Sequence, residues 1–108
     1  MKLGLFLLPR AEKDIDEHCT FIARTSLATS LAFDHAVFES LDRLSTHPEL
    51  GSTVNINDPR LIDLRMWFVK GFRKYLVFYR VFGNYIEVIR VLHSAQDRDN
   101  ILLDEDKE

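Results

Sequence analysis

Across 108 residues the chain has one cysteine, three prolines and four glycines. The lone thiol, Cys19, excludes an internal disulfide and with it the stapled scaffolds of small secreted proteins. Long apolar runs are also missing. Stretches such as Leu5 to Leu8 and Tyr75 to Tyr79 fall far short of the ~20 residues of a membrane-crossing helix. No signal-peptide pattern is expected, because Pro9, Arg10, Glu12, Lys13 and Asp14 break the run from Leu3 to Leu8. These absences point to the cytoplasm. An excess of positive charge is lacking too: the formal net charge is −3. His18, His35 and His47 lie on or at the end of helical stretches without ligand spacing, so a zinc site is excluded and no cofactor or metal is expected.

Hydrophobic residues make up 46% and charged residues 29%, enough apolar content to exclude disorder over most of the chain. Residues 1–103 read as a single domain, with 104–108 an acidic C-terminal tail. Charge is segregated: residues 1–59 carry a net −4, residues 60–98 a net +5 and residues 99–108 a net −4. An anionic partner therefore belongs between Arg60 and Arg98. A solvated basic sheet face balanced by an acidic helix face gives the same arithmetic.

Lys2 to Leu8 reads as a strand, apolar on both faces and hence covered. Pro9 can open the next helix. Ala11, Ile15, Cys19 and Ile22 mark one face of a helix from about Arg10 to Arg24. Thr25 and Ser26 break it and offer a cap. Ala28, Leu31, Ala32, Phe33, Ala36, Val37, Phe38, Leu41 and Leu44 form a stripe wide enough to predict a second helix buried on more than one side. His47-Pro48 ends it. With so short a connection the two helices fold back as a hairpin. Residues 49–59 are a loop. Period two then predicts antiparallel strands over 61–69, 73–82 and 85–92, the last two joined at Gly83-Asn84. Ser94 to Leu103 suits a short helix. The fold class is α+β, in the order β-α-α-β-β-β, with the hairpin on one face of the sheet, the first strand beside the last or next to last, and the other face open for function.

Several sequence blocks resemble those of the ParE branch of the ParE/RelE toxin superfamily. Leu7-Leu8-Pro9-Arg10-Ala11-Glu12-Lys13-Asp14-Ile15 is similar to its opening L-x-P-x-A-x-x-D-L/I block. Leu44 to Gly51 resembles its L-x-x-x-P-x-x-G helix stop, and Arg65 the arginine before its central hairpin. Tyr75 to Arg80 resembles Y-x-I/V-F-Y-R, and Arg90 to Asp97 resembles R-V-L-H-x-x-R-D. Gln96 stands where that last block has arginine, with Arg98 two residues on. The resemblance implies the toxin of a type II toxin–antitoxin pair, of the kind associated with plasmid stabilization. It implies a protein that poisons DNA gyrase without covalent chemistry of its own, binds no nucleic acid alone, and is neutralised by a cognate ParD-like antitoxin. The alternative within the superfamily is a RelE-like ribonuclease cutting mRNA on the ribosome. That branch is commonly basic and uses a late tyrosine, whereas no Phe, Trp or Tyr follows Tyr85 here. A degenerate interaction module without toxicity is a third reading, resting on Gln96.

Candidate residues follow. Arg65, Arg73, Lys74, Arg80 and Arg98 form the basic set that would meet a target. Trp67, Phe68 and Phe72 are candidate antitoxin anchors. In the ribonuclease reading His93 would be a general base, with Arg80 and Arg65 binding phosphate. His93 reads more readily as a cap at a sheet edge or helix start, and Arg90 as a structural ion pair, for instance with Glu87 or Asp97.

Overall fold

The computed structural model describes residues 2–103; Met1 and the acidic tail at 104–108 lie outside the described residues. Strand β1 (Gly4–Leu7) leads into helix α1 (Pro9–Ala23), then α2 (Leu27–Thr46). Two 3₁₀ turns, Pro48–Leu50 and Pro59–Leu61, flank a two-residue strand β2 (Ser52–Thr53). Strands β3 (Arg65–Val69), β4 (Phe72–Phe82) and β5 (Tyr85–His93) follow, and α3 (Arg98–Leu103) ends the described chain. The sheet order is β1-β5-β4-β3-β2, with β1 parallel to β5 and the other pairs antiparallel.

Local chemistry sets these boundaries. Pro9 occupies the first turn of α1, where its missing N–H has no helical partner to lose. Ser26 is extended and its hydroxyl accepts from the Thr29 N–H at 3.1 Å, which starts α2. Gly71 and Gly83 take positive φ in the tight turns on either side of β4. The hairpin of α1 and α2 buries Ala11, Ile15, Phe33, Val37, Leu41 and Leu44 against Val77, Tyr79, Ile86, Val88 and Val91 of the sheet. Truncating Phe33 or Leu41, each with no exposed surface, would cost ~2–5 kcal/mol.

Four sequence expectations need correction. The strand expected over 61–69 is confined to Arg65–Val69, because Pro59–Leu61 curls into a 3₁₀ turn and Asp63 takes φ 63°. The second sheet face is not open: Leu61, Leu64 and Leu102 close over Phe78, Ile89 and Leu92 as a second core. β1 is an edge strand rather than a covered one, leaving Leu5 and Phe6 exposed. α2 is buried on one side only, since α1 packs to one flank and Leu31 and Phe38 face outward.

A bulge places the last strand against α1. Phe78 pairs with Arg90 and Tyr79 with Val88, so Ile89 is an extra residue in β5. β1 ends at Leu7 opposite Val88, and beyond that point β5 keeps β4 on one side but, among the described residues, has no strand on the other. Asp14 takes the strand's place. Its Oδ2 accepts from the Val91 N–H at 2.9 Å, and its two oxygens accept from Arg90 Nε and Nη2, each at 2.7 Å. Both side chains are buried. Arg90 is thus a structural ion pair, but its partner is Asp14 rather than Glu87 or Asp97.

Candidate functional site

The aromatic candidates divide at the β3–β4 turn. Phe72 packs edge-on against Phe33, ring centroids 5.2 Å apart, and belongs to the first core. Trp67 and Phe68 are neighbours in sequence, yet their rings stack at 4.5 Å and 24°, beside an irregularity in the β3–β4 register. The Arg73 guanidinium lies 4.2 Å from the Phe68 ring centroid, so cation, Phe68 and Trp67 form one continuous stack. Trp67 and Phe68 line an open groove of about 630 Å³ whose other wall is the C-terminal half of α2, with Glu39, Asp42, Arg43 and His47. Lys70 stands at its rim and reaches Glu39 at 3.7 Å. A half-buried aromatic pair with charges of both signs around it suits an amphipathic polypeptide segment.

The basic candidates are not gathered into one strip. Arg65 reaches the Gly51 carbonyl at 2.6 Å and the Glu49 carbonyl at 3.4 Å, bracing the turn after α2. Arg80 bonds the Arg60 carbonyl and stacks on Phe82 at 4.4 Å. It lines a small cavity on the second face, part charged and part apolar, with Asp58, Glu87, Ile89 and Leu102. Arg98 caps the same face, with Nη1 at 3.1 Å from Met66 Sδ and Nε at 3.4 Å from Asp99. Lys74 is exposed at the start of β4, where its carbonyl accepts from the Ser94 N–H. Arg65 pairs with Tyr79 across β3 and β4. Successive strand residues point to opposite faces, so Arg65 and Arg80 lie on different sides of the sheet.

His93 is remote from both arginines. It pairs with Tyr75, whereas Arg80 pairs with Glu87; five residues of strand separate the two rows, roughly 17 Å. Its Nδ1 accepts from the Ala95 N–H at 3.0 Å, and its ring meets Tyr75 edge-on at 4.8 Å. That bond occupies the Nδ1 lone pair, so a ring N–H is on Nε2. Gln96, in the position of the family arginine, folds back so that Oε1 accepts from the His93 N–H at 2.7 Å. His93 and Gln96 together build the turn that leads into α3.

Sequence reasoning missed Tyr79. Its hydroxyl donates to the Pro48 carbonyl at 2.7 Å and accepts from the Gly51 N–H at 2.8 Å, fully buried. Burial pushes the phenol above its usual pKa, partly offset by the Gly51 bond and by Arg65. The helix-stop block and the Y-x-V-F-Y-R block therefore meet in one contact. Their order in sequence was the available signal; the backbone partners were not readable from it. Elsewhere Asp58 caps the Pro59–Leu61 turn, and the side-chain and backbone bonds from Arg60 hold its carboxyl down at about 2.

The profile of the ParE toxin of type II toxin–antitoxin systems, parDE, matches residues 5–98. No curated protein sequence matches the chain. Ten chains of solved structures do. One of them, described as the chromosomal ParDE TA system from P. aeruginosa, is 16% identical with a TM-score of 0.67, over 85% of this chain and 96% of that one. At that identity the likeness establishes a shared fold. Among the described residues no helix is long and apolar enough to cross a membrane. The profile match covers all but the ends of the chain and includes every block set out above, so the protein belongs to the ParE toxin family of type II toxin–antitoxin systems.

Proposed function

We propose that this protein inhibits DNA gyrase in the cytoplasm and is held inactive by a cognate ParD-like antitoxin. The observation that carries the reading is the family match over residues 5–98. The site geometry supports an inhibitor over a ribonuclease. Arg65, Arg80 and His93 are dispersed over two faces and two ends of the sheet, and the His93 lone pair is engaged. Ribonuclease chemistry needs cations and a base converging on one phosphate.

The antitoxin is assigned to the groove of Trp67 and Phe68, where an apolar side chain would lie on the ring stack while charged neighbours meet Glu39, Lys70 and Arg73. Phe72 supports this wall from within the core rather than as a contact. The target is assigned to the second face, where Arg80 lines a cavity with Leu102 of α3 and Arg98 opens that helix. A supercoiling assay with purified gyrase tests the proposal: excess folded protein should block supercoiling and trap cleaved DNA. Normal supercoiling would remove gyrase as the target. New 5′ ends within codons on translating ribosomes, lost in His93→Ala, would replace this reading with the ribonuclease one.

A further inference from the structure

Strand β1 is apolar on both faces, yet it forms an edge of the sheet. Leu5 is 39% and Phe6 52% exposed. Hydrogen bonding shows which backbone groups this edge presents. The Gly4 N–H donates to the Asn84 carbonyl at 2.9 Å and the Leu8 N–H to the Val88 carbonyl at 3.0 Å, so the even-numbered residues turn inward to β5. The odd-numbered residues turn outward. Of these, the Leu3 N–H donates to the Ser45 carbonyl of α2 at 2.9 Å. The N–H and C=O groups of Leu5 and Leu7 have no partner among the described residues. Lysine, proline or a bulge commonly blunts such an edge, and residues 3–8 contain none of the three.

The free groups match those of a second β1. With two such strands antiparallel about a two-fold axis at Phe6, Leu5 faces the partner's Leu7 and Leu7 the partner's Leu5. Each pair exchanges two hydrogen bonds, which uses every free Leu5 and Leu7 group of both copies. The next hydrogen-bonded pair outward would be Leu3 with Pro9. There the Leu3 N–H is already taken and Pro9 has none, so the pairing stops without stranding a donor. An axis at Leu5 would demand the occupied Leu3 N–H, and an axis at Leu7 the missing N–H of Pro9. In the Phe6 register the two Phe6 side chains meet in a non-hydrogen-bonded pair, with Cα atoms about 4.5 Å apart, where aromatic side chains pack together. Lys2 approaches the partner's Arg10, but Asp42 already pairs with Lys2.

We propose that β1 docks a second copy of this chain, strand to strand about Phe6, joining two five-stranded sheets into one. An unrelated strand would have to end its pairing at the same two positions by chance, whereas a second copy does so by symmetry. β1 lies at the opposite edge of the sheet from β3 and the Trp67 groove, so the proposal stands or falls independently of the antitoxin assignment.

A contact of this size is small, so a dissociation constant of about 1–100 μM is expected. Sedimentation velocity from about 1 to 500 μM should show monomer passing to dimer. Phe6→Lys, at an exposed side chain, sets two like charges at the axis. It should weaken the dimer about tenfold or more with an unchanged circular dichroism spectrum. The register is read by oxidation with diamide in a Cys19→Ser background. Phe6→Cys should lock the dimer through one disulfide, because the Cα spacing suits a bridge. Leu5→Cys, which faces Leu7 rather than itself, should not. Amide exchange at Leu5 and Leu7 should slow as protein concentration rises, while Gly4, already bonded to Asn84, stays unchanged. A monomer throughout the range, a dimer indifferent to Phe6→Lys, or equal locking by both cysteine variants would each overturn the proposal. Protection of Leu5 and Leu7 only when the antitoxin is added would hand the edge to that partner and overturn it as well.

Discussion

Gly51 and Tyr79 offer a sharp test of how this fold is held. Gly51 has φ −71°, a conformation any residue adopts, so its identity is a matter of space. A Cβ placed there would lie 2.4 Å from Tyr79 Oη, 2.7 Å from Cε1 and 2.9 Å from Cζ. Tyr79 has no exposed surface and cannot swing aside. Gly51→Ala should therefore cost ~1–3 kcal/mol through overpacking. Tyr79→Phe keeps the ring but removes the bonds to Pro48 and Gly51, leaving a buried N–H and carbonyl without their partner. That costs ~1–3 kcal/mol. The two changes share one atom, the hydroxyl. In the double variant the closest clash is gone, so the loss should be smaller than the sum of the singles by ~0.5–2 kcal/mol. Urea unfolding followed by Trp67 fluorescence and by circular dichroism gives each midpoint. Strict additivity, or a Tyr79→Phe variant within ~0.5 kcal/mol of wild type, would refute the role given to this contact.

The remaining predictions concern other sites. Asp14→Ala should destabilise by ~3–5 kcal/mol, because it strands a buried guanidinium; Asp14→Leu combined with Arg90→Met should recover much of that in chemical denaturation. The Asp58 carboxyl titrates at about 2 in the folded chain against ~3.9 when unfolded. Its contribution is therefore complete above about pH 4 and is lost as pH falls towards 2, which amide exchange at Arg60 and Leu61 would report. Phe68→Ala should weaken antitoxin binding by ~1–3 kcal/mol, measured by calorimetry, while Phe72→Ala should lower thermal stability instead. Arg98→Ala should reduce gyrase inhibition severalfold with little change in melting temperature, because its contacts are on the surface.

How much of this was legible depended on whether a feature is periodic or local. The helix hairpin, the Gly83-Asn84 turn and the alternation of β4 and β5 are repeats within one segment, and they emerged as expected. The second core did not, because Leu61 and Leu64 fell in a stretch whose alternation reads as strand, and Leu102 lies in a short helix with no period to place it. The Asp14–Arg90 pair joins residues 76 apart. Both stood in family-like blocks, yet spacing alone offered nearer acids. The single-sided burial of α2 was missed because a wide apolar stripe reads the same whether its outer flank is covered or bare. Among candidate site residues the aromatic pair Trp67 and Phe68 was named together and is found together, whereas the basic set was grouped by sequence proximity and is divided by the pleat of the sheet.

The parallel pairing of β1 with β5 has a consequence for biosynthesis. α1 and α2 are complete by Thr46, yet the strands they cover extend to His93. At ~5–20 residues per second the ribosome needs roughly 2–10 s to make that interval. Throughout it the hairpin has no sheet beneath it, and Phe33, Leu41 and Leu44 have nothing to pack on. β3, β4 and β5 are then joined by short turns and form locally, but β1 must wait for the last of them. A chain stalled before β5 would therefore have neither the Asp14–Arg90 pair nor a closed sheet. It would be a substrate for chaperones and proteases, because the fold closes only once β5 has been made.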